Sequence, residues 1–355
     1  MNIVKPVERK LLDQAEEAVR DCLEPVASLS IKRVRRDLRR DAPRPDTVFT
    51  LKTPNGDQMV LVEVKGSGQP RIVRDAVNQL LRYQSDASGA YGVLVAPYIS
   101  SQSARICLES GIGYVDLAGN CRLSFGSVYV QRDGKPNPNP QRRALRSLYA
   151  PRTTRVLRVL LQDPKKPWRL QPLAQEAGVS LGQVYHVKKL LADREWIRSE
   201  EGGLRLSDHG ALLREWSQHY TYRKNVARDF YSLDAPPEIE RKLAAACREG
   251  AVPYAFTGFS AAARLAPMVR YQRVMAYVDG DLTPVVTALS LKEVPSGANV
   301  SLLSPYDDGV FYGAAEVDSL RIAWPVQVYL DLVGYRGRGE EAATFLLERV
   351  IERTW

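Results

Sequence analysis

The segment Gly134-Lys135-Pro136-Asn137-Pro138-Asn139-Pro140 places a proline at every second position. Each proline removes a backbone donor and fixes its own φ, so the run can continue neither a helix nor a central strand. A chain of 355 residues interrupted there must build its cores on separate sides of the break. The length suffices for two or three domains, each burying its own apolar surface. Patterning on the two sides places the boundaries at 1–132, a basic Pro/Asn-rich linker at 133–151, a helical segment at 152–229 and a last region at 230–355. The expected fold class is α/β, in several domains.

Charge divides the chain unevenly. Of the net +9, residues 1–229 carry +13 and residues 230–355 carry −4, and residues 132–166 alone hold ten basic against two acidic side chains. A second basic cluster, Lys32, Arg33, Arg35, Arg36, Arg39, Arg40 and Arg44, precedes Asp46. Such runs are commonly solvated faces. Two of them beside the motifs described below point instead to a phosphate-backbone footprint, with Arg35 and Arg36 among the expected DNA contacts. No apolar run approaches a membrane span, and the N-terminal residues lack the apolar core of a signal peptide, so a cytoplasmic location without membrane association is expected. Cys22, Cys107, Cys121 and Cys247 are widely spaced, which argues against a disulfide framework or a zinc site. The three histidines are too few and too scattered for a histidine metal centre.

The first region carries the residues that propose a reaction. Asp46 opens the apolar strand Thr47–Leu51, Pro54-Asn55-Gly56-Asp57 signals a turn, and the chain returns as Met59-Val60-Leu61-Val62-Glu63-Val64-Lys65. Glu63 and Lys65 are two apart on a strand and leave the same face. Across the hairpin Asp46 can meet them. Two carboxylates there can hold Mg²⁺ or Mn²⁺, with water and substrate phosphate completing the coordination, and Lys65 can assist the attacking water. Arg71–Asp86 has helical periodicity, and Gln79 and Tyr83, four apart, share one of its faces. Glu16 or Glu17 on the first amphipathic segment, Val7–Leu23, can add a ligand. Val26–Val34 is expected as a strand, Tyr91–Ala96 as a buried one, and Asp116 and Asn120 as turn formers.

The series Pro45-Asp46, Glu63, Lys65, Gln79 and Tyr83 resembles the PD-(D/E)XK nuclease superfamily, and its last element looks like the RecB-type branch. The resemblance covers roughly residues 7–131. It implies a restriction-endonuclease-like α/β fold, Asp46 and Glu63 as metal ligands, and all five residues as the catalytic set of a Mg²⁺-dependent deoxyribonuclease. A nuclease fold that only binds DNA or a partner stands as the alternative.

Beyond the linker, Arg152–Leu161 and Leu170–Ala177 read as helices, the second stopped by Gly178. Ser180 caps a third helix, Leu181–Asp193, whose apolar face is Leu181, Val184, Val187, Leu190 and Leu191. That leaves Gln183, Tyr185, His186 and Lys189 outward. Two short strands around Gly202-Gly203 follow. The arrangement resembles a winged helix-turn-helix of the bacterial regulator kind over about residues 152–215. It implies that the third helix enters the major groove, with Ser180, Gln183, Tyr185, His186 and Lys189 at the DNA and Arg198 and Arg205 of the wing on the flanking backbone.

In residues 235–355 strands are expected at Tyr254–Thr257, Val274–Val278, Val300–Leu303 and Val310–Tyr312, with a long final helix near Glu340–Glu352. Asp279-Gly280-Asp281 reads as a turn, and Ser260 lies too far from it for a nucleotidyltransferase site. The helical segment followed by Tyr254–Ala263 and Trp324–Leu332 resembles the AbiEi-like antitoxins of type IV toxin–antitoxin systems. That resemblance implies a DNA-binding repressor of its own operon. Three functions therefore stand: a DNA-targeted, metal-dependent nuclease, an antitoxin-type regulator whose front domain contributes affinity or dimerisation, or a hub whose acidic C-terminal region recruits a protein partner. The expected partners are DNA, a second copy of the chain, and a cognate toxin or other protein at the C-terminal region.

Overall fold

The computed structural model describes residues 6–36, 44–138, 148–267, 271–335 and 337–355. Arg39, Arg40, Arg142, Arg143 and Arg146, counted above in the basic clusters, lie outside them. The architecture is mixed α/β, and the chain divides into two compact units: residues 1–142 with 191–195, and residues 143–190 with 196–355.

The first unit is one seven-stranded sheet in which every strand pairs with its neighbour in sequence. Helix α1 (Pro6–Leu23) precedes strands β1 (Ser30–Arg36), β2 (Thr47–Thr53) and β3 (Gly56–Val64). Helix α2 (Pro70–Asp86), strand β4 (Tyr91–Ala96), helix α3 (Ser101–Glu109) and strands β5 (Gly113–Asp116), β6 (Cys121–Phe125) and β7 (Val128–Arg132) complete it. The pairs β3–β4 and β4–β5 are parallel, each bridged by a helix, and the remaining pairs are antiparallel. Strand β1 starts four residues later than the sequence suggests, because Val26 and Leu29 close tight turns at the end of α1. The β2–β3 hairpin pairs Thr53 with Gly56, whose φ of +115° is reached at little cost without a Cβ.

Both faces of the sheet are covered. Ala15, Val19, Cys22 and Leu23 of α1 pack on Phe49, Val60, Val62 and Val93. Val73, Ala76, Val77 and Leu80 of α2 pack with α3 on Leu61, Leu94 and Ala96. Alternation along β3 thus sends Val60 and Val62 to one layer and Leu61, with Glu63 after it, to the other.

The second unit begins with α4 (Pro151–Gln162), α5 (Leu170–Glu176) and α6 (Leu181–Asp193), of which the last three residues group with the first unit, followed by the hairpin β8 (Ile197–Glu200) and β9 (Gly203–Leu206). Gly178, at φ +60°, ends α5, and Val179 N–H returns to the Ala174 carbonyl at 3.0 Å. Ser180 Oγ then accepts from Gln183 N–H at 3.2 Å. The hairpin is anchored by Trp168, which exchanges backbone hydrogen bonds of 2.7 and 2.9 Å with Leu204.

After α7 (His209–His219) comes a second seven-stranded mixed sheet. Its members are β10 (Val226–Tyr231), β11 (Tyr254–Thr257), β12 (Val274–Val278), β13 (Lys292–Glu293), β14 (Val300–Ser304), β15 (Ala315–Val317) and β16 (Leu320–Ile322), in the order β13-β10-β14-β12-β11-β16-β15. Helices α8 (Pro236–Glu249), α9 (Gly258–Leu265), α10 (Thr283–Ala288), α11 (Pro325–Val333) and α12 (Gly339–Leu346) surround it. The strand expected at Val310–Tyr312 is a 3₁₀ turn, Asp308–Phe311, started by Asp307 Oδ1 accepting Gly309 N–H at 2.9 Å. The long last helix loosens as it ends, passing from α12 into a π turn at Leu347–Ile351. No helix among the described residues is long and apolar enough to cross a membrane.

Candidate functional site

Position along β3 and α2 decides the first constellation. Lys65, just beyond β3, donates from Nζ to Glu63 Oε1 at 2.7 Å and to Gln79 Oε1 at 2.8 Å. Asp46, at the start of β2, accepts Val64 N–H on Oδ2 at 2.8 Å, which ties it to the same end of the sheet. Tyr83 lies one turn beyond Gln79, and burial together with the charges of Glu63 and Asp46 raises its hydroxyl above the usual range. Four sequence-proposed residues thus converge, and the fifth lies within electrostatic reach.

Glu63 is only 6% exposed. Burial, and secondarily the Asp46 carboxylate, push its carboxyl up to about 7 against the opposing pull of Lys65. Its Oε2 is buried with no hydrogen-bond partner among the described residues. A buried carboxylate oxygen left unsatisfied is costly, and a hard cation is one group able to satisfy it. Among the described residues no group of three or more His, Cys, Asp or Glu side chains gathers at one point. A cation at Asp46 and Glu63 would therefore take further ligands from water or phosphate oxygens, the usual habit of Mg²⁺.

Glu16 is committed elsewhere. Burial works to raise its carboxyl, but hydrogen bonds to Arg36 and Arg20 outweigh this and hold it below the usual carboxylate range. The same contacts bind Arg36, whose Nη1 meets Asp13 at 2.5 Å and whose Nε meets Glu16 at 2.6 Å. Arg35 is exposed on β1 and, with Arg44, Pro45, Met59 and Tyr83, lines a cavity of about 220 Å³.

In the second unit the face of α6 is partly as expected. Tyr185, His186 and Lys189 are exposed or half-exposed, and Ser180 just before the helix is exposed. Gln183 is half-buried and donates from Nε2 to Thr153 Oγ1 on α4 at 2.7 Å. Leu181, expected on the packed face, is exposed. On the hairpin Arg198 and Arg205 are directly paired across the strands, and Arg205 also bonds Glu200 at 2.8 Å.

The basic run at 132–166 needs correction at two positions. Arg155, partly exposed, is engaged by Asp307 at 2.9 Å, and Arg158 is only 3% exposed, so neither is a free surface cation of a phosphate footprint. Arg158 donates to Gln327 Oε1 at 2.5 Å and stacks over Trp216. Gln327 opens a fully buried polar network the sequence reading missed. Asp331 accepts from Tyr220 at 2.6 Å, from Tyr277 at 2.9 Å, from Gln327 at 3.0 Å and from Thr257 Oγ1. Burial raises the Asp331 carboxyl despite these four donors. The only sequence signal was Gln327 and Asp331 spaced four apart inside an otherwise apolar helix. Ser260, by contrast, spends its hydroxyl on the Thr257 and Met275 carbonyls, and Asp281 caps Thr283 in an exposed turn.

Residues 205–352 match a family model described as "Transcriptional regulator, AbiEi antitoxin, Type IV TA system". The match begins in β9 and covers α7 and the second sheet, and it leaves α4–α6 and the whole first unit outside. Over these residues the C-terminal region is thus similar to AbiEi-type antitoxin regulators, which supports the C-terminal part of the resemblance read from the sequence. No curated protein and no solved structure matches the chain.

Proposed function

We propose that the chain is a DNA-binding transcriptional regulator of the antitoxin type. The observation that carries this reading is the match of residues 205–352 to the antitoxin regulator family. Helices α4–α6 with the β8–β9 hairpin form the DNA reader as a winged helix-turn-helix. Tyr185, His186 and Lys189 reach solvent along α6, where an inserted helix presents side chains to base edges and phosphates. Gln183 acts first as a brace to Thr153, so its share of base contact requires that bond to open. Arg198 and Arg205 extend from the wing toward flanking phosphates. A cognate toxin, or a second copy of the chain, is the protein partner this class of regulator implies for the C-terminal domain.

A footprint on the DNA upstream of the chain's own gene tests the reading. Protection there, weakened in Tyr185→Ala and Lys189→Ala proteins, is the expected result. An unprotected promoter overturns it.

A second activity is favoured by one observation, the buried and unpartnered Glu63 Oε2 beside Asp46 and Lys65. We read residues 1–132 as a PD-(D/E)XK-type nuclease domain. Mg²⁺ or Mn²⁺ held by Asp46 and Glu63 would supply a polarising charge at a scissile phosphate and a more acidic bound water. Lys65, held between Glu63 and Gln79, would orient an attacking water and offset charge building on the phosphate. Tyr83 and Arg35 line one cavity, which offers room for a substrate strand. Cutting of duplex or single-stranded DNA with either metal, lost in Glu63→Ala and Lys65→Ala, supports this activity. Tight binding without nicking under any of these conditions removes it and leaves the regulator intact.

A further inference from the structure

Among the described residues Arg158 is a buried cation without a counter-ion. It is 3% exposed, and among the described residues it forms no salt bridge, since Asp307 and Asp308 are held by Arg155 and Asp331 by its own four donors. One amino group reaches Gln327 and the guanidinium lies over Trp216, yet Nε and Nη1 are buried with no hydrogen-bond partner among the described residues. Burying a charge this way is expensive unless an opposite charge or acceptor arrives. Arg158 is one wall of a cavity of about 360 Å³, lined also by Arg155, Gln175, Gly178, Phe311 and Tyr312. Nε lies 3.3 Å from where a Cβ on Gly309 would stand, and Gly309 is part of the same wall. The volume is within the range of small-molecule sites, and Phe311 and Tyr312 supply flat apolar surface.

From this cavity and its uncompensated arginine we propose a binding site for a small aromatic anion, its carboxylate or phosphate on Arg158 and its ring along Phe311 and Tyr312. Glu176 and Asp308 at the mouth disfavour ligands of high negative charge, so one anionic head is the fit. The position gives the site a consequence. Gln175–Gly178 is the end of α5 and the turn that launches α6, and Tyr312 already bonds Glu176 at 2.9 Å. A ligand spanning from Phe311 to this turn changes the direction of α6 and therefore the fit to DNA. This regulatory part rests on the DNA-binding reading above. The binding site does not.

The test uses the full chain with benzoate, phenyl phosphate and inorganic phosphate, followed by calorimetry and thermal shift. Benzoate or phenyl phosphate binds with a Kd at or below about 1 mM, and inorganic phosphate, lacking a ring, binds much more weakly. Arg158→Lys, which keeps the charge but loses the planar fork, weakens binding roughly tenfold. Gln175→Trp, at an exposed position on the rim, blocks the mouth without touching the core. No binding of either aromatic anion at about 10 mM, or binding indifferent to both variants, overturns the site. With promoter DNA present, the bound anion changes DNA affinity about fivefold or more. Anion binding that both variants weaken, in a chain that binds no promoter, keeps the site and removes the regulator reading. Promoter binding without anion binding does the reverse.

Discussion

Replacing Glu63 by Gln should stabilise the first unit, and the gain should grow with pH. The amide keeps the shape and can still accept from Lys65, but it has no charge to bury. Folding raises the Glu63 carboxyl from the ordinary 4.5 to about 7. The fold therefore suffers no penalty below about pH 4.5, and it loses stability as pH rises toward and through 7, where a folded-state proton must be given up. At 1.36 kcal/mol for each pH unit of separation, the full penalty is about 3 kcal/mol, and about 2.5 kcal/mol of it accrues between roughly pH 5 and pH 8. Urea melts at those two pH values measure it by circular dichroism. All five tryptophans (Trp168, Trp196, Trp216, Trp324 and Trp355) belong to the second unit, so their fluorescence follows that unit separately as an internal control. Asp46→Asn removes the second cause of the shift and should move the whole pH dependence downward. A stability difference between the Glu63→Gln protein and wild type that stays flat from pH 5 to pH 8 refutes the reasoning, because it would mean that Glu63 ionises in the fold as readily as in water.

Other expectations are independent of that one. Mg²⁺ at pH 8 should raise the melting temperature of the wild-type first unit and leave Glu63→Gln unchanged, since only the charged carboxylate offers the cation a partner. Lys189→Ala should reduce the slope of log affinity against log salt by about 1 if this amine neutralises one phosphate, as read from binding titrations at several salt concentrations. Gly203→Ala should destabilise the β8–β9 hairpin by about 2 kcal/mol or more, since its φ is +136° and a Cβ would stand 2.3 Å from the Trp168 carbonyl oxygen; hydrogen exchange at Leu204 reports it. Asp331→Ala should cost about 3 kcal/mol or more by stranding four buried donors, seen as a lower midpoint in the tryptophan-monitored melt.

Much of this molecule is legible in local pattern. Period-two and period-3.6 apolar spacing places β2, β3, β4 and α2 to within a few residues, because each buries a continuous face and nothing else satisfies the alternation. Gly178 and Ser180 mark the end of α5 and the start of α6 through backbone conformations and caps that only a few residue types supply. The same patterns err where a tertiary contact overrides them. Val310–Tyr312 looks like a strand, yet Asp307 captures Gly309 N–H and turns the chain. Gln183 looks outward on a helical wheel, yet Thr153 holds it.

The sequence by itself determined that the chain is α/β in more than one body. It also settled that Asp46, Glu63, Lys65, Gln79 and Tyr83 are ordered for one sheet end, and that the last region is antitoxin-like. Those conclusions depend on residue type and spacing, which the backbone converts directly into faces and turns. Only the tertiary structure decided the electrostatics. Arg158 reads as one more cation in a basic run until Trp216, Gln327 and the 307–312 turn close over it. Glu63 reads as an ordinary acid until α2 covers β3 and strips its water away. Charge cost is set by desolvation, and desolvation depends on neighbours that lie far off in sequence.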